Sequence, residues 1–309
     1  MTNSATLYAP LLRRLLWLLL VCAPWAGRAQ TKVQVVTRTI EKTLTLTPAT
    51  RLNVQGEKAT VHIQGWDKPT ARLVLRLVAK HPDRAVAERE LQVMQYRIEQ
   101  SGNEVNLRNF FTLAAGTTLQ SNLRAEYTLW VPAKTSVQIT NAYGETALTS
   151  LSGLQEILQE FGQIKLQDLQ GQLKITSKYA DITARNLDLT FTCDADKAAI
   201  RLTDAAGRYT IHNTYGSIRI EPTAGLTGLQ ITAARTEVTI VAPQMDLFSY
   251  ELTALQGSIR LPTNTTFSPG VVKTRTFFQV QYRKTDPLIR VNTSYAPITL
   301  QINPLLLRR

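Results

Sequence analysis

Residues 143–220 read YGETALTSLSGLQEILQEFGQIKLQDLQGQLKITSKYADITARNLDLTFTCDADKAAIRLTDAAGRYTIHNTYGSIRI, and the stretch repeats itself. Every eighteenth residue from Thr146 gives Ile164, Ile182, Ile200 and Ile218, and two places further on stand Leu148, Leu166, Ala184, Leu202 and Ile220. Nine of these ten are apolar. Halfway between lies a second series, Gln155, Leu173, Phe191 and Tyr209, followed two residues later by Ile157, Ile175, Cys193 and Ile211. The step is therefore nine residues. Alternate side chains of a strand point to one face, so a short fixed period with two apolar residues per step predicts stacked strands around a shared core. The expected fold is all-β, a β-solenoid of the β-helix type, with about 18 residues and two short strands per coil.

Turn chemistry supports that spacing. Ser150, Asp168, Asn186 and Asp204 recur between strands, as do Gly144, Gly162 and Gly216, and then Gly153, Gly171 and Gly207. Short polar side chains can bond the local backbone, and glycine suits corners where a Cβ is strained. Downstream of Pro222 the steps lengthen, with insertions expected at 244–247 and 262–270. The rhythm returns at Val280 and Tyr282, Ile289 and Val291, and Ile298 and Leu300, which places the coil at 132–304 and leaves 305–309 as a cap or tail.

Upstream, residues 30–131 form a less regular strand region. Leu52 with Val54 and Val61 with Ile63 keep the nine-residue step, Gly65 to Pro69 form a corner, and Leu73, Leu75 and Leu77 alternate. Pro82, Asp83 and the pattern through Leu91, Val93 and Met94 predict a helix near 82–96, of about four turns, closing one end of the strand stack. Ser101, Gly102 and Asn103 predict a hairpin turn, and 112–122 reads as a loop.

The first 29 residues are of another kind. Arg13 and Arg14 precede the apolar run Leu15 to Cys22, and small residues follow up to Ala29, the layout of a secretory signal peptide. Cys22 suggests a lipoprotein anchor, but Val21 is bulky where processing of such proteins meets a small residue, so the reading here is a cysteine removed with the signal. The expected location is outside the cytoplasm: periplasmic, outer-surface or secreted. No later stretch is long and apolar enough to span a membrane. Cys193 is then alone and falls on the inward column, as a buried small hydrophobe would.

The net charge is +12, and the first 29 residues contribute three arginines and no acid. A basic exported chain meets anionic glycans, envelope polymers and lipid head groups before nucleic acid. The outward column between the apolar pair reads Ala147, Lys165, Thr183, Arg201, Arg219, Thr239 and Arg260. Lys165, Arg201, Arg219 and Arg260 are accordingly the candidate polyanion-binding stripe, with Arg201 and Arg219 about 5 Å apart in strand spacing. A solvated strand face with splayed side chains is the plain alternative.

Catalytic and metal chemistry are not indicated. Glu145, Asp181 and Glu237 share a column without being adjacent. Asp194 and Asp196 lack a glycine-punctuated calcium loop, and His62, His81 and His212 share no ligand spacing. No cofactor is expected. Tyr143, Phe161, Tyr179, Tyr215 and Tyr295 recur before strands, where aromatic residues either stack on sugars or cover corners of the core.

Gly65, Trp66 and Asp67 after a short strand, the Val131–Pro132 pair and the units Tyr143–Gly144, Phe161–Gly162, Tyr179–Ala180, Tyr215–Gly216 and Tyr295–Ala296 together resemble an exported bacterial adhesin-like family. Its members are β-strand repeat proteins of unknown function, and their adhesin label is itself a presumption. Thr146, Ala180 and Ala296 depart from the family pattern. The resemblance covers most of the chain after the signal and implies an exported, solenoid-like envelope protein, with no catalytic residue to carry over. The expected function is therefore non-enzymatic: a rigid repeat surface that binds an anionic glycan or an envelope protein. The alternatives are a structural envelope scaffold and a β-helix glycan-cleaving enzyme.

Overall fold

The computed structural model describes residues 32–308 apart from Pro48 and Asn264. The expected signal peptide, 1–29, and Cys22 with it lie outside the described residues. The chain is mostly strand. It runs β1 (Gln34–Thr45), β2 (Arg51–Gly56), β3 (Ala59–Trp66), β4 (Thr70–His81), α1 (Arg84–Leu91), β5 (Met94–Ser101), β6 (Glu104–Phe111) and β7 (Asn122–Pro132). Then come β8 (Ser136–Thr149), β9 (Leu154–Lys178) and β10 (Ala180–Ala242), followed by a 3-10 turn at Met245–Leu247. The last part holds β11 (Ser249–Leu255), β12 (Ile259–Arg260), β13 (Gly270–Val272), β14 (Arg275–Val280), β15 (Leu288–Ser294) and β16 (Ile298–Ile302), and a 3-10 turn at Pro304–Arg308.

Register carries the repeat. β8 and β9 pair in parallel with Thr146 opposite Ile164, and β9 pairs with β10 with Ile164 opposite Ile182 and Leu173 opposite Phe191. All these partners are eighteen residues apart. The offset continues inside β10, where the rings of Phe191 and Tyr209 lie 5.5 Å apart and the Ala199 amide donates to Asp181 Oδ1. A straight strand of eighteen residues would be about 60 Å long, so the backbone bends back within every repeat. It bends at two rows of left-handed residues: Ser150, Asp168, Asn186 and Asp204, and Tyr179, Lys197 and Tyr215. The Asn186 side chain donates to Asp168 Oδ1 at 2.6 Å, so the first row also bonds along itself.

The expectation of two short strands per repeat is corrected here. Neighbouring repeats bend at the same place, so their ladders continue around the corners, as in the bond from the Ser150 amide to Gln167 O and from the Tyr179 amide to Asp196 O. β9 is consequently 25 residues long and β10 is 63. The apolar columns point inward and are buried, including Ile164, Ile182, Ile200, Ile218, Phe191 and Tyr209. Each such isoleucine contributes about 1.5–3 kcal/mol by leaving water.

The ends depart from this rule. Leu52 and Val61, nine residues apart, both sit against β8, opposite Val137 and Thr146, as the step predicts. The strands β1, β4 and β7, by contrast, pair antiparallel beside β3. The helix is shorter than expected: α1 has eight residues, and Met94 and Tyr96 belong to β5, where alternation opposite β6 outcompetes the helical pattern. Asp83 is its N-cap, accepting from the Ala85 amide at 2.8 Å, and the helix packs on β1 and β4. Glu90 at its far end is buried and accepts from the Gln120 and Ser121 amides, tying down the end of the 112–122 loop.

Beyond Ala242, chain order and stacking order part. β15 lies between β10 and β11, with Val291 opposite both Ile231 and Leu252, and β16 lies between β10 and β12. Val280 and Tyr282 do not continue the coil: β14 runs antiparallel to β11 and β13, and Tyr282 lies past its end.

Candidate binding surface

The basic stripe lies on the outward face between the two rows of bends. His62 stands opposite Ala147, Ala147 opposite Lys165, and Lys165 opposite Thr183. Arg201 and Arg219 follow at the eighteen-residue offset. Their flanks fix that register, because a Cβ on Gly216 would strike Ala198 O and Thr223 Oγ1 meets Ala205 O. The position of Arg260 needs correction. Sequence order sets it beside Thr239, but β16 inserts Thr299 between them, so Arg260 stands three strands from Arg219.

The four cations differ in their partners. Lys165 Nζ donates to Glu145 Oε2 at 2.6 Å, and the same carboxylate meets His62 Nε2 at 3.1 Å. Burial pushes the Glu145 carboxyl upward, but hydrogen bonds and charge from Lys165 and His62 prevail and hold it below the usual carboxylate range. Arg219 holds Glu221 Oε1 through Nε at 3.2 Å and Nη2 at 3.0 Å. Arg201 and Arg260 are exposed and have no acidic partner among the described residues. Exposed pairs of this kind are worth only about 0–1 kcal/mol, so a polyanion could draw Lys165 and Arg219 away from their carboxylates. The face is mixed in sign, however, since Glu145, Asp181 and Glu237 occupy the next column.

The aromatic residues form a ladder along one row of bends. Tyr143 and Phe161 stack at 4.9 Å and 3°, and Phe161 and Tyr179 at 5.1 Å and 10°. Lys197 Nζ sits 4.6 Å over the Tyr179 ring and donates to its hydroxyl at 2.9 Å. Arg235 lies between Tyr215 and Tyr295, 5.3 and 5.2 Å from their centroids. Sugar stacking requires a free ring face, and within this row the faces are taken up by neighbouring rings and cations. The Tyr179 hydroxyl accepts from Lys197 rather than bonding the backbone. Lys197 was legible as a member of the row from the eighteen-residue spacing of Tyr179, Lys197 and Tyr215, whereas Arg235, twenty residues after Tyr215, was not.

Sequence reasoning missed an inward polar column beneath this ladder. Asn141 and Gln159, which are paired in register, are buried, as are Ser177 and Asn213 at the same spacing. Asn141 Nδ2 donates to Ala59 O, Gln159 Nε2 to Gly144 O and Phe161 O, Ser177 Oγ to Ala180 O, and Asn213 Nδ2 to Ala198 O. The left-handed corner turns carbonyls away from the ladder, and these side chains satisfy them. The signal was present as polar residues at a fixed place after the pairs, at 141, 159, 177 and 213, with Ala195 the exception. Thr146, a departure from the apolar column, belongs to the same network and donates to Gln159 Oε1 at 2.7 Å.

Cys193 is buried, and burial, with Asp194 adding to it, pushes its thiol up to about 12. His62 lies on β3, His81 at the end of β4 and His212 on β10, without converging, and no group of three or more metal-ligating side chains occurs among the described residues. No helix among the described residues is long and apolar enough to cross a membrane.

Neither a family model nor a curated protein matches the chain. Solved structures with a similar strand arrangement include one named as a presumed cell adhesion protein from Clostridium sporogenes, at 15% identity over 86% of this chain and 100% of the other, with a TM-score of 0.23. Another is named as a presumed lipid binding protein from Parabacteroides distasonis, at 12% identity over 85% and 96%, with a TM-score of 0.43. A third is named as a presumed adhesin from Bacteroides fragilis, at 10% identity over 85% and 97%, with a TM-score of 0.29. At these identities and superposition scores the likeness carries no argument about function.

Proposed function

We propose that the chain is a non-enzymatic, exported envelope protein of the β-solenoid type, whose rigid repeat face binds an anionic polymer, with an acidic glycan as the favoured class. The carrying observation is the pair Arg201 and Arg219 on consecutive repeats, with Arg201 free of any acidic partner among the described residues. Stacked like charges repel, and a polyanion laid across them relieves that repulsion. The in-register stack supports this reading because a fixed backbone sets the two arginine positions on neighbouring repeats before a ligand arrives.

The test is binding of the purified chain to acidic and neutral polysaccharides at low and physiological salt, with Arg201→Ala plus Arg219→Ala alongside. Expected are preference for acidic polymers, weakening with salt, and about tenfold weaker binding in the double variant. Equal binding of neutral polymers, or a double variant equal to the parent, would overturn the stripe.

A further inference from the structure

We infer that the free end of the aromatic ladder is a discrete subsite for one acidic sugar unit; this deepens the glycan-binding reading above and rests on it. Tyr143 begins the row. One face of its ring is covered by Phe161, and Phe161 belongs to β9, on one side of β8. On the opposite side of β8 lies β3, and there a cleft of ≈ 390 Å³ opens between Tyr143 and the residues Lys58, Thr60, Asn122 and Arg124. Tyr143 is 49% exposed, against 37% for Phe161 behind it. Among the described residues no ring or cation packs on the other face of Tyr143, whereas Phe161 is stacked on both faces.

The lining has the chemistry of a saccharide site. A flat ring face accepts the apolar C–H side of a pyranose, Thr60 and Asn122 offer hydrogen-bonding groups to hydroxyls, and two cations flank the opening. Lys58 is exposed, carries no acidic partner among the described residues, and has its ammonium 5.8 Å from the Phe111 ring. Arg124 is 44% exposed in its side chain and uses Nη2 on Glu126 Oε1, which leaves its other N–H groups available. A carboxylate on the sugar would meet Lys58 and Arg124 while the ring rests on Tyr143. A neutral hexose would gain the stacking but not the ion pair. The cleft volume falls within the range of small-ligand sites, and the two rings stacked behind Tyr143, Phe161 and Tyr179, hold the platform in place before a ligand arrives.

The probes are tetragalacturonate and its methyl ester, titrated calorimetrically into the full chain and into Lys58→Gln, Tyr143→Leu and the Arg201→Ala plus Arg219→Ala variant. Expected is saturable binding of the acid, at least about fivefold weaker in Lys58→Gln and about tenfold weaker in Tyr143→Leu, with the methyl ester weaker still on the parent chain. Should Tyr143→Leu fail to fold, Lys58→Gln, a single exposed change, decides alone. Unchanged affinity in Lys58→Gln overturns the subsite, and a fall confined to the arginine double variant leaves the stripe standing without it. Equal binding of acid and ester also overturns the subsite, and no binding of either in any form sinks both readings.

Discussion

Replacing Gln159 by leucine tests the account of the corners most directly. The side chain is 1% exposed and spans two repeats through three hydrogen bonds: it accepts from Thr146 Oγ1 at 2.7 Å and donates to Gly144 O at 2.9 Å and Phe161 O at 2.8 Å. Leucine is of similar size, so little cavity forms, but a hydroxyl and two carbonyls lose their partner away from water. Each buried group left unpaired costs about 1–3 kcal/mol, and taking the low end for all three gives a loss of about 3 kcal/mol. For a chain of this size that is a fall of about 5 °C in Tm. Thermal and urea unfolding followed by circular dichroism measure it, with Gln163→Leu, an exposed position on the same strand, as a control expected within about 0.5 kcal/mol of the parent. Gln159→Leu within about 1 kcal/mol of the parent would refute the claim that the inward polar column holds the corners. Thr146→Val combined with Gln159→Leu should cost less than the sum of the single changes, because the two side chains share one bond.

Two further outcomes follow from the same geometry. Gly162 has φ 112°, and a Cβ there would overlap Gly144 O, so Gly162→Ala should cost at least about 2 kcal/mol by unfolding, whereas Gly228→Ala, which meets only the flexible end of Arg208, should be near neutral in the same assay. Burial pushes the Glu90 carboxyl upward, but bonds from Ser121 and Gln120 and the charge of Arg89 outweigh it and leave its pKa lowered. A lowered native pKa means stability that is present above the unfolded value of 4.5 and is lost as pH falls through the native one. Exchange of the Gln120 and Ser121 amides should therefore accelerate in acid beyond its intrinsic pH dependence, and Glu90→Gln should remove that extra dependence. An identical pH profile in the two proteins would refute the role given to Glu90.

The middle of the fold was legible because burial there depends on alternation and a single fixed period. Ile164, Ile182 and Ile200 could only share a face if the chain returned every eighteen residues. The ends were not legible, for a physical reason: period reports which side of a strand is buried, but not which strand lies next to it. Val291 has the alternation of a terminal repeat wherever it docks, and nothing in that pattern says that it enters between Ile231 and Leu252. The same limit misplaced Arg260 by one strand. The candidate stripe was readable as a row of positions, but Glu145 and Glu221 reach it from neighbouring columns, and a reading that follows one column at a time does not see them.

The place taken by β15 and β16 also bears on how the chain reaches its final form. Residues 288–302 fill a slot bounded by β10 on one side and by β11 and β12 on the other, so 249–260 cannot settle against a finished neighbour until segments made later have arrived. A chain that emerges from its N-terminus can zip up repeat by repeat through β8, β9 and β10, since each new repeat lies on the one made just before it. At the far end this orderly growth stops, because 288–302 must reach β10 before β11 and β12 have a neighbour to pack on. Assembly of that end is thus the long-range, slow step.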